Sequence, residues 1–474
     1  MWSGRSGRIG FIVAVIAVTL AAGASSASAA RFDWLRGFND PATPDNLDRV
    51  GVLKVGLPWA RNVLVLNPGT SAGAGYFRPL AADVVRRTRG RWQVWSVERR
   101  ENQLEDHSAL DQFKAGDATP QQLFDYYLGW LVNSSVTDHI QLIPDSEVAF
   151  GRGWGMNVEI EDLRRVVKEA SRFGRRVVLG GHSLGGSITT AYATWDFNGK
   201  PGAKGLSGLV YIDGGSNPVP LTPEEASQSL EDLQSSSPWL AFGGIPSPFL
   251  GIFSATGSCG AAHDPKGPSL GYTFPLLPAN LKPPLPAGEV PTNEAQFGFA
   301  VDADTSPPAL IAAQVNGGRL ADSGNPRPWI SDEITPIQRF AAMLCGRRAG
   351  IDGSAWYHPL RLTIDSRAVA AGNANPAQEI LDLRAIHGDD LSRKTRIYAF
   401  GAALGGQGVL AAAQILAQQS EIPESRLTLV NRQSTYTHND PNSASPDNEF
   451  LDNLIPFLDR IGHRFPDKHG DGEH

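Results

Sequence analysis

Only two of the 474 residues are cysteines, Cys259 and Cys345. Small secreted domains without a large core depend on several disulfides, so a count of two excludes a disulfide scaffold of that kind. Basic residues are also in the minority: the chain has 42 Lys and Arg and 49 Asp and Glu, which gives a net charge of −7. Because binding to a phosphate backbone needs an excess of Lys and Arg, this balance argues against a nucleic-acid partner. The hydrophobic share of 41% is too high for a disordered chain, so the composition indicates a soluble globular protein.

The apolar run near the N-terminus is too short for a membrane-spanning helix. Ile9 to Ala22 has 14 residues, whereas a span needs roughly 20. The run follows Arg5 and Arg8 and precedes the small residues of 27–29. This order is typical of a secretory signal peptide, which we predict over residues 1–29. We therefore expect a secreted, periplasmic or extracellular protein with no stable membrane span after cleavage; an uncleaved N-terminal anchor is the alternative.

Export would affect the oxidation state of the two cysteines. In an oxidising compartment two cysteines in one chain usually pair, so we predict a Cys259–Cys345 disulfide. Two buried free thiols are the alternative. In the loop-entropy model, a bridge between residues 86 positions apart removes about 4 to 5 kcal/mol of unfolded-chain entropy.

Short β-branched runs alternate with helical patterns over the first 215 residues. Alternation of this kind indicates βαβ units and a mostly parallel sheet, hence an α/β fold. The pattern stops between Gly214 and Asp390, where 21 of the 34 prolines fall, and it resumes near Arg396. Because proline cannot donate to a sheet ladder, this stretch cannot continue the sheet regularly. We predict a core made of residues 30–213 and 393–474, interrupted by a cap or lid at 214–392.

Two serines lie in Gly-x-Ser-x-Gly motifs, and their contexts differ. Ser183, within Gly181–Gly185, directly follows the predicted strand 177–179, and a helix begins after Gly186. A sharp strand-to-helix turn holds such a serine in strained geometry and exposes its hydroxyl. Ser71, within Gly69–Gly73, lies in a longer loop. We predict that Ser183 is the nucleophile.

The chain resembles the α/β-hydrolase superfamily in the order of its predicted elements. That order is strand, Pro-Gly loop, strand, Gly-His-Ser-Leu-Gly-Gly turn, helix, strand and late histidine. The resemblance covers roughly 50–215 and 394–461 and does not cover the insertion. It implies a mostly parallel central sheet flanked by helices. It also implies a catalytic histidine in the loop after the last strand, where the sequence has His438.

The catalytic acid departs from the common pattern of that superfamily. The strand before the last is followed by residues 401–406, which contain no carboxylate. Asp213, at the end of the strand after the turn helix, is the next candidate, as in pancreatic-type lipases. A turn or helix-capping role for Asp213 is the alternative, and Asp440 and Asp447 are weaker rivals. The chain order Ser183, Asp213, His438 fits the superfamily.

Acyl transfer also needs two backbone N–H donors for the developing oxyanion. The resemblance implies that Leu184 supplies one and Thr70 the other, with Ser71 as the next candidate. No cofactor is expected, and no residue spacing typical of a structured metal site is found.

These features together predict a secreted serine hydrolase that cleaves small-molecule or lipid-like carboxylic esters through a Ser-His-Asp triad. An acyltransferase or peptidase with the same triad is the nearest alternative. A catalytically silent hydrolase fold used as a binding module is a further one. The sequence leaves the substrate and the oligomeric state open.

Overall fold

The computed structural model describes residues 30–217, 219–346 and 351–462. The predicted signal peptide, 1–29, lies outside the described residues. Secretion therefore stays a prediction.

Eight strands form one central sheet in the order β1-β2-β4-β3-β5-β6-β11-β12. The pairs β1–β2 and β2–β4 are antiparallel, and the other five pairs are parallel. The predicted fold class, a mostly parallel central sheet flanked by helices, is confirmed. The strands of this sheet are β1 (Ala30–Arg36), β2 (Arg49–Val55), β3 (Asn62–Asn67), β4 (Trp92–Glu98), β5 (Arg176–His182), β6 (Leu206–Ile212), β11 (Arg396–Gly401) and β12 (Leu427–Asn431). Two short ribbons pair β7 (Ala241–Phe242) with β8 (Ile245–Pro246), and β9 (Arg319–Leu320) with β10 (Trp329–Ile330).

Helices cover both faces of the sheet and make up most of the insertion. In the described ranges, no helix is long and apolar enough to cross a membrane. The helices are α1 (Arg78–Arg87), α2 (Ser108–Ala115), α3 (Pro120–Tyr127), α4 (Met156–Ala170), α5 (Leu184–Thr194), α6 (Pro223–Ser235), α7 (Ser247–His263), α8 (Leu270–Thr273), α9 (Asn293–Val301), α10 (Ile337–Cys345), α11 (Leu360–Ala368), α12 (Pro376–Leu381), α13 (Gly406–Gln419), α14 (Asp440–Ser443) and α15 (Glu449–Gly462).

The central strands are apolar along their whole length because both of their faces are covered. In β3 all six residues are buried, and successive side chains enter different cores. Val63 and Val65 belong to the core that includes residues of α4, α5 and α13. Leu64 and Leu66 belong to the core beneath α1 and α15. This double burial is typical of parallel strands between two helical layers.

The insertion begins and ends between neighbouring strands. β6 pairs directly with β11, with Leu209 opposite Ile397, so the sheet is continuous across the chain segment that separates them. That segment contains α6 to α12 and both short ribbons. The domain boundaries at 213/214 and 392/393 stay a prediction.

The predicted disulfide is present. Cys259 lies in α7 and pairs with Cys345, the last residue of α10. Both cysteines are buried in a hydrophobic cluster that includes Trp239 and Trp356 of the insertion together with residues from 47–158. The bridge ties two helices of the insertion together and closes the long loop for which we expect about 4 to 5 kcal/mol of stabilisation.

Candidate active site

Ser183 lies at the sharp turn between β5 and α5. Its backbone has φ 55° and ψ −125°, a conformation that residues other than glycine rarely adopt. The turn also requires small neighbours: a Cβ atom on Gly214 would lie 2.0 Å from the Ser183 carbonyl oxygen. Such strain, held in place by close packing, is common at functional positions. The side chain of Ser183 therefore lies at the carboxyl end of the sheet and is partly exposed.

His438 and Asp213 form a buried pair at the same end of the sheet. Asp213 directly follows β6, and His438 lies in the loop between β12 and α14. The distance from His438 Nδ1 to Asp213 Oδ2 is 2.7 Å, and the two side chains are 2% and 0% exposed. Because Nδ1 is engaged by the carboxylate, Nε2 is the ring nitrogen available for a proton from a nucleophile.

The second glycine-rich turn, Gly401–Gly406, holds the carboxylate of Asp213. Four backbone N–H groups of this turn donate to it. Those of Ala402, Gly405 and Gly406 reach Oδ1 at 2.7, 2.9 and 3.2 Å, and that of Leu404 reaches Oδ2 at 3.2 Å. The turn resembles residues 181–186 in sequence, but its positive φ falls on Gly406 instead of the third residue. It is therefore an anion-binding turn at the N-terminus of α13.

These contacts keep Asp213 charged. Burial alone would raise the pKa of the carboxyl group. The hydrogen bond and charge of His438 and the N–H of Ala402 outweigh burial, and the pKa of Asp213 lies below its usual value. An ionised carboxylate at this position can orient the imidazole and stabilise its protonated form.

His182, the residue before Ser183, contacts both the backbone and the ring of His438. Its Nε2 donates to the His438 carbonyl oxygen at 2.8 Å, and the two ring centroids are 4.2 Å apart. On its other side the ring stacks on Tyr76. Burial, together with the nearby His438, lowers the pKa of His182 to about 3, so His182 stays neutral. It is a positioning residue for the loop that carries His438.

The two rival acids lie elsewhere. Asp447 is exposed. Asp440 is buried, and its carboxylate accepts hydrogen bonds from Thr335, Asn316 and Thr437, at distances of 2.7 to 3.0 Å. These bonds tie the His438 loop to the insertion. Asp213 is thus the one of the three candidate acids that contacts His438.

The loop that contains Thr70 and Ser71 runs beside Ser183. A Cβ atom on Gly69 would lie 2.9 Å from Ser183 Cβ and 3.5 Å from Ser183 Oγ, so only glycine permits this approach. Leu184 begins α5, where the first N–H groups of a helix have no partner within the helix. The N–H groups of Leu184 and of this loop therefore flank Ser183; whether Thr70 or Ser71 supplies the second oxyanion donor stays open.

A buried arginine that belongs to no recognisable sequence motif fixes that loop. Arg99, with a fully buried side chain, donates to the carbonyl oxygens of Pro68, Gly69 and Ala72 at 3.1, 3.1 and 3.4 Å. Its charge is balanced by Glu101, 2.7 Å away. Because the loop carbonyls are held by Arg99, the loop backbone is fixed next to Ser183. The only sequence signal is a run of charged residues immediately after a buried strand.

We expect Arg99→Lys to lower kcat by about 10- to 100-fold, because the single ammonium nitrogen of lysine cannot replace the planar fork with which the guanidinium contacts three carbonyl groups and Glu101, and a small displacement of a catalytic group is costly. Arg100→Lys is the matched control. Arg100 is equally buried and paired with Asp48 and Asp162, but the carbonyl it contacts is that of Phe38. Steady-state kinetics should show the kcat loss for Arg99→Lys alone. Equal losses in both variants would mean that Arg99 has only a structural role.

No family model matches the chain, and neither does any curated protein sequence. Solved structures do resemble it. A soluble variant of monoglyceride lipase from Saccharomyces cerevisiae is 10% identical, with 94% of this chain and 97% of that chain covered and a TM-score of 0.40. A carboxyl esterase from Bacillus coagulans is 13% identical, with 92% and 99% covered and a TM-score of 0.39. The thioesterase domain of the curacin biosynthetic pathway is 11% identical, with 92% and 99% covered and a TM-score of 0.39. By its own strand order and by the turn at Ser183, the chain has the α/β-hydrolase fold.

Proposed function

We propose that this protein is a secreted serine hydrolase that cleaves carboxylic esters of small-molecule or lipid-like substrates. The observation that carries the proposal is the buried His438–Asp213 pair at the end of the sheet where the strained turn presents Ser183. A hydrolase fold used only for binding does not require a charged carboxylate that is buried against a histidine. The cost of burying that charge is offset here by four backbone donors and the imidazole.

The chemistry follows from the roles of the three side chains. Ser183 Oγ attacks the ester carbonyl carbon while His438 Nε2 accepts the hydroxyl proton. The carbonyl electrons move to oxygen, and that oxyanion is stabilised by the N–H of Leu184 and an N–H from the Thr70–Ser71 loop. His438 then returns the proton to the leaving alcohol as the C–O bond breaks. Water then attacks the acyl carbon while His438 accepts its proton. The bond from that carbon to Ser183 Oγ breaks, His438 returns the proton to Oγ, and the acid is released.

A substrate panel tests the class of reaction. We expect purified protein to hydrolyse p-nitrophenyl acetate, butyrate or palmitate, with kcat/KM at least about 100-fold above that for the matching p-nitroanilides, because p-nitrophenolate is a much better leaving group than the nitrogen of an anilide. Ser183→Ala is the control for background hydrolysis. Preferential cleavage of anilides would instead indicate a peptidase. Transfer of the acyl group to an added alcohol in preference to water would indicate an acyltransferase.

A further inference from the structure

Three potential metal ligands converge where the insertion meets the core, outside the proposed active site. Glu105 and His107 lie between β4 and α2, and Asp352 belongs to the insertion. One ligand atom from each residue lies within 4.8 Å of the other two. His107 Nε2 is 2.7 Å from Glu105 Oε2 and 3.8 Å from Asp352 Oδ2. The side chains come from two parts of the chain that meet only in the folded protein.

Asp352 is the member of this cluster whose carboxyl group accepts no hydrogen bond from the described residues. It is 2% exposed, and within the described residues neither of its carboxylate oxygens accepts a hydrogen bond. The 3.8 Å separation from His107 is too long for one. A carboxyl group that is buried without a hydrogen-bond partner is strongly unfavourable. A metal ion bound by Asp352 would supply the partner that the described residues do not.

Glu105 and His107 are hydrogen-bonded to each other. Glu105 Oε1 accepts the N–H of Trp356 at 2.7 Å, and Oε2 lies 2.7 Å from His107 Nε2, a contact that a metal ion bound to both atoms would replace. The His107 ring packs edge-on against the indole of Trp356. The Glu105 side chain is fully buried, whereas that of His107 is 14% exposed, which gives a small ion a route from solvent.

We propose that Glu105, His107 and Asp352 bind a Zn²⁺ ion. One imidazole nitrogen and two carboxylate oxygens form a ligand set suited to zinc, with water as the fourth ligand. Calcium prefers six to eight oxygen ligands and is a poor match for an imidazole. The ion provides the partner that the Asp352 carboxyl group lacks among the described residues. This site is structural and does not depend on the proposed esterase activity.

The position of the ion gives it a specific role. The segment that carries Asp352 is hydrogen-bonded to the loop beside Ser183: Gly75 N donates to Asp352 O at 2.9 Å, Gly73 N to Gly353 O at 3.0 Å, and Ala355 N to Ser71 O at 2.9 Å. A metal ion bound to Asp352 on one side and to Glu105 and His107 on the other fastens the insertion to the core at this contact. Zinc therefore stabilises the docking of the insertion.

Metal content tests the proposal directly. Protein treated with a chelator, then incubated with Zn²⁺ and desalted, should retain one zinc per chain by plasma mass spectrometry. His107→Gln and Asp352→Asn should each weaken Zn²⁺ binding at least tenfold in calorimetric titrations, consistent with the loss of one ligand. His139→Gln is the matched control, because His139 stacks on Trp130 away from the cluster.

Thermal unfolding provides a second readout that does not require activity. Zinc should raise the melting temperature of the wild type by several degrees and leave that of Asp352→Asn unchanged. In the metal-free state the order should reverse, with Asp352→Asn melting at or above the wild type, because asparagine removes a buried carboxyl group that accepts no hydrogen bond from the described residues. The proposal is overturned if the wild type retains no zinc, or if both variants bind it as tightly as the wild type.

Discussion

Ser183→Ala should lower kcat for ester hydrolysis by about 10⁴- to 10⁶-fold, while the melting temperature changes little. The expected loss is large because the hydroxyl is the only group in the proposed mechanism that forms the acyl-enzyme. Stability should change little because the strained backbone of the turn is held by its glycine neighbours, and the serine side chain is partly exposed. Rates measured under substrate saturation, with folding checked by circular dichroism, decide the outcome.

Ser71→Ala is the matched control, since Ser71 is the central residue of the other Gly-x-Ser-x-Gly motif. Its hydroxyl has no hydrogen-bond partner among the described residues, and any oxyanion contact it makes is through its backbone N–H. We expect a loss of less than about tenfold, because the backbone is unchanged. A full loss of activity in Ser71→Ala together with near-normal turnover in Ser183→Ala would show that Ser71, and not Ser183, is the nucleophile.

Asp213→Asn should lower kcat by about 10⁴-fold, the second largest effect. Both carboxylate oxygens of Asp213 accept hydrogen bonds from N–H donors. Oδ1 accepts those of Ala402, Gly405 and Gly406, and Oδ2 those of Leu404 and His438. An amide NH₂ at either position therefore faces a donor. At the Oδ2 position the amide forces the wrong His438 tautomer. At the Oδ1 position it repels the N–H groups of the turn.

The rival acids supply the controls for this prediction. Asp447→Asn, at an exposed position, should leave both kcat and the melting temperature close to the wild type. Asp440→Asn should lower the melting temperature, because it loses charged hydrogen bonds to Thr335, Asn316 and Thr437, while kcat of the folded protein changes less than in Asp213→Asn. If Asp440→Asn loses more activity than Asp213→Asn, Asp440 is the catalytic acid.

Local signals made part of the site predictable. A strand that runs directly into Gly-His-Ser-Leu-Gly-Gly is a short-range pattern, and the strand-to-helix turn at Ser183 is short-range as well. The fold class was predictable because strand and helix periodicity repeat along the chain. Asp213 was predictable as the carboxylate that ends β6, although its distance from His438 was not.

The supports of the site depend on contacts between distant parts of the chain. Nothing in Gly401–Gly406 itself indicates that its N–H groups bind a carboxylate 189 to 193 positions away. Arg99 follows a strand like many other charged residues, and only the folded loop shows what it holds. The proposed zinc ligands likewise lack a recognisable spacing, because Asp352 lies 247 positions after Glu105. Short motifs predict turns, whereas the side chains that hold those turns in place are identified only from contacts in the folded protein.

Covalent labelling tests the central claim most directly. The purified protein is incubated with a fluorophosphonate, digested, and analysed by peptide mass spectrometry. We predict one phosphonylated residue, Ser183, with no label in Ser183→Ala and greatly slowed labelling in His438→Ala, because the imidazole must accept the serine proton. Absence of label from the folded wild type, or a label on Ser71 instead of Ser183, would contradict the proposal that Ser183 is the nucleophile of a serine hydrolase.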